Sequence, residues 1–141
     1  MTDSELEFAA KAAGYTFHRS KHGYWIVTTP EGDRVECCVG FSRYDSATGA
    51  DLGLPSIEDA LSELGWMPRE DDGDALRLAV RLRIHIEQNK DALYGEFTQC
   101  AAIGIHWNDR PVEWWDKNES PEAATRRAIV RAAAEIGRSM P

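Results

Sequence analysis

The sequence predicts an α+β fold, an α-β-α sandwich in which an antiparallel or mixed sheet is covered by helices. Segments with a 3.6-residue apolar period stand at both ends and in the middle of the chain, and segments with a two-residue period lie between them. The two kinds do not alternate as a doubly wound parallel sheet requires. The chain has 141 residues, and a domain of that size buries roughly two-thirds of its unfolded surface. One domain spanning residues 1–141 is expected, since no repeat, low-complexity tract or linker interrupts it.

The first helix is signalled by Ser4 and Glu7 as a capping box, then by Leu6, Ala9, Ala10 and Ala13 at helical spacing and by Gly14 as its stop. Tyr15–His18 and Tyr24–Thr29 are rich in aromatic and β-branched residues and read as a hairpin across a turn at Ser20–Gly23. Pro30–Asp33 is a second turn, and Arg34–Phe41 follows as a third strand with Val35, Cys37, Val39 and Phe41 on one face. A three-stranded antiparallel meander is the expected result. Residues 42–55 read as a loop.

Ser56 caps a short helix that Gly65 ends. The acidic run Glu70–Asp74 precedes a helix over Ala75–Leu82, with Ala75, Leu78, Ala79 and Leu82 inward and Arg77 and Arg81 outward. Ile84–Glu87 alternates as a strand, Phe97–Trp107 holds at least one more, and Val112–Trp115 reads as a short strand or an exposed loop after the turn at 108–111. The closing helix has the fullest set of signals. Ser120 caps it, Pro121 takes its first position, Glu122 suits its dipole, and Ile129, Val130, Ala133 and Ile136 form its apolar face, ending near Gly137.

Composition narrows the function classes. Five Trp, four Tyr and four Phe within a 43% hydrophobic fraction argue for a packed globule. Sixteen basic against twenty-four acidic residues leave a net charge of −8, which repels phosphate backbones and argues against direct nucleic-acid binding. The acidic N-terminal stretch is unlike a secretory signal, and no apolar run is long enough for a membrane span. Cys37, Cys38 and Cys100 are an odd number and read as reduced thiols of a cytoplasmic protein.

Motifs for chemistry are sparse. His85 and Glu87 share a strand face, and Cys100 and His106 follow nearby, yet no spacing typical of a zinc site is present. Asp71–Asp74 lacks the alternation and the closing Glu of a calcium loop. There is no nucleophile elbow and no phosphate-binding glycine loop. No enzyme, cofactor or metal is expected. Arg126 falls within the apolar face of the last helix, where a guanidinium can receive a carboxylate or a phosphate. Trp107, Trp114 and Trp115 cluster about a turn, and adjacent Trp on a strand face opposite ways, so one is a candidate surface anchor.

Residues 68–80 (PREDDGDALRLAV) and 120–130 (SPEAATRRAIV) together resemble the middle and the closing helix of phage ABA-sandwich domain proteins, and 21–41 fits the same group. The chain is more distantly similar to the small NinX-type proteins of lambdoid phages. The resemblance implies the α-β-α sandwich and a phage or prophage origin, and it transfers no reaction and no catalytic residue. The expected role is a phage accessory protein that binds a host protein in the bacterial cytoplasm and antagonises antiphage defence, in the manner of an anti-CRISPR inhibitor. The alternatives are a protein sequestering a signalling nucleotide, with Arg126 on phosphate and Trp on the base, and a metal-dependent enzyme resting on His85, Glu87 and His106. No sequence signal specifies an oligomeric state.

Overall fold

The computed structural model describes residues 2–21, 25–37, 43–44, 51–53, 56–91, 93, 95–102, 105, 110–115 and 119–141. Its helices and antiparallel sheets make an α+β fold in which a sheet packs against helices, as expected. The chain divides into two compact units, Gly14–Trp66 and the combination of Met1–Ala13 with Met67–Pro141.

The first unit, Gly14–Trp66, holds the meander. Strands β1 (Thr16–Arg19), β2 (Trp25–Thr28) and β3 (Arg34–Cys37) pair antiparallel in that order. The register sets Phe17 opposite Val27 and Val27 opposite Val35, so the two-residue period places all three on one face. Val27 and Ala60 are buried there, with Tyr15, Phe17, Trp25, Val35 and Leu64 packed about them. Val39 and Phe41, expected on that face, lie outside the described residues. The segment expected as a loop instead contains a short antiparallel pair, β4 (Arg43–Tyr44) and β5 (Asp51–Gly53). Its strands are too short for periodicity to register. Helix α2 (Ile57–Glu63) starts at Ser56, whose hydroxyl accepts from Asp59 N while the Asp59 carboxylate accepts from Ser56 N. This is a capping box.

The second unit begins with α1 (Thr2–Ala13), which starts two residues before the expected cap, so Ser4 lies inside its first turn. Leu6, Ala9, Ala10 and Ala13 are buried, as their spacing predicts. Helix α3 (Asp72–Leu82) also starts early. Asp71 is its cap, accepting from Asp74 N at 2.8 Å, and Asp72 and Asp74 of the acidic run lie in its first turn. Asp74 is buried and satisfied, accepting from Met67 N at 2.8 Å and from Arg77 Nη2 at 2.6 Å.

Strands β6 (His85–Asp91), β7 (Gly95–Ala101) and β8 (Val112–Trp115) form an antiparallel sheet with β7 central. The 112–115 segment is therefore a strand. Helix α4 (Pro121–Arg138) lies against β7 and β8 and also packs on α1 and α3. Contact on several sides explains why its buried set, including Ala124, Ala128, Ala132, Ala133 and Ala134, extends well beyond one apolar stripe.

Helix α4 ends at Arg138, next to Gly137, as expected, and that glycine lies against α1: a Cβ there would collide with the Phe8 carbonyl oxygen. A hydrogen at this position is what lets α1 and α4 approach.

Candidate functional site

An open cavity of about 250 Å³ is framed by α3, β6 and α4. Each element contributes for a local reason. Helical spacing puts Asp72, Ala75 and Leu76 of α3 on one wall, and Glu122, Thr125, Arg126 and Ile129 of α4 on the other. Strand alternation turns Ile86 and Gln88 toward α4. Ala75, Leu76, Ile86 and Ile129 supply apolar walls, while Asp72, Glu122 and Arg126 supply the charged groups.

Polar groups hold the frame. The Thr98 and Thr125 hydroxyls lie 2.9 Å apart, and Gln88 Nε2 donates to Thr125 Oγ1 at 3.2 Å. Thr98 is fully buried, so its hydroxyl needs this partner. Arg126 ties α4 to α3. Its Nε donates to the Arg69 carbonyl at 2.8 Å and its Nη1 to Asp72 Oδ1 at 2.5 Å. The guanidinium, placed by sequence within an apolar face, is thus committed to a carbonyl and a carboxylate of its own chain. Two carboxylates, Asp72 and Glu122, and one guanidinium line the cavity, so its lining is net acidic.

The apolar wall continues beyond the cavity. Leu76 is 60% exposed and Val80, one turn further along the same face of α3, is 69% exposed. Sequence reasoning assigned α3 an inward set and an arginine face and passed over these two residues. The available signal was that both are large aliphatics outside the inward set.

The other sequence-predicted residues do not gather here. Trp114 is 43% exposed on the opposite face of the sheet, its ring centroid 4.6 Å from that of Phe97. Trp115 turns the other way, and its Nε1 donates to Glu96 Oε2 at 3.1 Å. Trp107 and His106 lie outside the described residues. Arg127 and Arg131 both meet Glu113 of β8, at 3.4 and 3.5 Å, because α4 lies across that strand.

The register separates the proposed metal-binding set. His85 pairs with Ala101 whereas Cys100 pairs with Ile86, so His85 and Cys100 face opposite sides of the sheet. His85 Nε2 stands 4.0 Å from Glu87 Oε1, and both side chains are exposed. Among the described residues, no group of three or more His, Cys, Asp or Glu is arranged to hold a metal. Cys100 is fully buried, and burial pushes its thiol up to about 12 against the opposing pull of the nearby Arg131, so the thiol is neutral as a core side chain. No helix among the described residues is long and apolar enough to cross a membrane.

No family model matches the chain, and no curated protein or solved structure matches it.

Proposed function

We propose that the chain is a bacteriophage or prophage accessory protein that works by binding a host protein in the bacterial cytoplasm, and that antiphage defence is the system it antagonises. The observation that carries the binding role is the open α3–β6–α4 cavity adjoining exposed Leu76 and Val80. Contiguous exposed apolar surface beside a concavity is characteristic of interaction sites. The resemblance of 68–80 and 120–130 to phage ABA-sandwich proteins supports the origin.

The test is expression of the chain in a bacterium with an active defence system, read as phage plating efficiency, with native mass spectrometry of the purified protein. Restored plating and a stoichiometric host protein on the chain support the proposal. Unchanged plating together with a bare chain refutes it.

A second reading takes the same cavity as a small-ligand site. Its volume of about 250 Å³ falls just below the range of roughly 300–1,000 Å³ usual for drug-sized ligands. The excess of carboxylate over guanidinium selects an amine-bearing ligand over a phosphate-bearing one. Signalling nucleotides are accordingly the weaker candidates, and thermal melting against a cyclic-nucleotide panel is expected to be flat.

A further inference from the structure

We infer that the α3–β6–α4 cavity receives a basic amphipathic helix of the partner protein, one apolar side chain entering between Leu76, Ile86 and Ile129 while neighbouring Lys or Arg groups meet Asp72 and Glu122. This inference rests on the binding role proposed above and specifies the partner's chemistry.

Shape favours a helix. The cavity lies between two helices, and Leu76 and Val80 extend its α3 wall by a further turn. A groove with an apolar ledge along one side suits anchors repeating every three or four residues, the pattern an amphipathic helix presents.

Charge decides the sign. Asp72 and Glu122 stand at the cavity with Arg126 as the counter-charge, and Glu70 and Asp71 lie exposed immediately before α3. Asp72 is 70% exposed and gives one carboxylate oxygen to Arg126. Glu122 is exposed at the start of α4 and accepts from the Ser120 hydroxyl at 3.0 Å. Acceptor capacity therefore remains on both carboxylates, since each oxygen of an ionised carboxyl accepts more than one hydrogen bond. Within a Debye length of about 8 Å these groups attract a cationic segment and oppose an acidic one.

The test uses two fluorescein-labelled helical peptides of identical apolar pattern, one with lysine and one with glutamate at every polar position, titrated against the full chain by fluorescence anisotropy. The lysine peptide is expected to bind at least about tenfold tighter, with an affinity that falls as salt rises. Leu76→Ser weakens it severalfold, and so does the pair Asp72→Asn with Glu122→Gln. The pair Glu7→Gln with Glu87→Gln makes the same change in net charge away from the cavity and leaves binding unchanged. All these positions are exposed, so the variants remain folded.

Equal binding of the two peptides, no binding of either, or equal weakening by the two carboxylate pairs overturns the inference. Peptide failure alongside a host protein that wild type retains and Leu76→Ser loses rejects only the partner's chemistry. A bare chain in the native spectrum and unchanged plating reject the binding role itself.

Discussion

Arg126 and Asp72, 54 residues apart in sequence, meet through Nη1 and Oδ1 at 2.5 Å, beside the bond from Arg126 Nε to the Arg69 carbonyl. Together these contacts join α4 to the start of α3 at the cavity. The two partners contribute unequally, because the Arg126 side chain is 19% exposed and that of Asp72 is 70% exposed. Arg126→Gln is expected to lower stability by about 1–2 kcal/mol, since it also deprives the Arg69 carbonyl of its donor. Asp72→Asn is expected to cost less than about 1 kcal/mol, as for an exposed pair. Urea unfolding measures both, and equal losses would contradict the assignment.

Gly137 makes a sharper prediction. Alanine in a helix is ordinarily favoured over glycine, by up to about 1 kcal/mol in the interior and less in the last turn. Here its Cβ would collide with the Phe8 carbonyl oxygen, a backbone atom of α1 that cannot yield as a flexible side chain does. Gly137→Ala is therefore expected to destabilise by about 1–3 kcal/mol, as overpacking does. A raised urea midpoint would show that α1 and α4 are not packed this closely.

The Thr98–Thr125 contact predicts an asymmetry. Thr125→Val leaves the fully buried Thr98 hydroxyl without its partner and costs about 1–3 kcal/mol. Replacing both by Val removes the hydroxyls together and is expected to be closer to wild type than Thr125→Val alone. A double variant that sums two independent losses would contradict the pairing.

Cys100 predicts a pH dependence. Burial raises its thiol from 9.0 to about 12, so above pH 9 the unfolded chain loses this proton while the folded chain keeps it. Fewer protons on the unfolded state mean that stability falls as pH rises, by on the order of 1 kcal/mol per unit for a single group. Below pH 8 this group contributes no slope. The difference in unfolding free energy between wild type and Cys100→Ala should accordingly be constant to pH 8 and shrink between pH 9 and 11. A constant difference throughout would place the thiol in contact with solvent.

What the sequence discloses divides by the range of the interaction. Caps at Ser56 and Ser120 are local hydrogen bonds a few residues long, and both are read correctly. The opposite facing of Trp114 and Trp115 follows from strand alternation alone. Arg126 stands out because one charge interrupts an apolar face, yet Asp72 and Arg69 lie too far along the chain for spacing to name them. Gly137 marks the end of α4 to within a residue, but its close approach to Phe8 involves another helix and leaves no local signal. The cavity is the least legible feature, since Leu76, Ile86 and Ile129 come from three elements and have ordinary aliphatic side chains. Leu76 and Val80 become informative only when packing leaves them 60% and 69% exposed.

The most direct test of the binding surface is side-by-side capture on tagged wild type and Leu76→Glu from one susceptible host lysate, read by native mass spectrometry. Leu76 is 60% exposed, so the variant keeps the fold while placing a charge on the apolar wall. Wild type should retain a stoichiometric host protein that Leu76→Glu loses. Retention of the same protein by both would place the interaction elsewhere on the chain and contradict the role assigned to the α3–β6–α4 cavity.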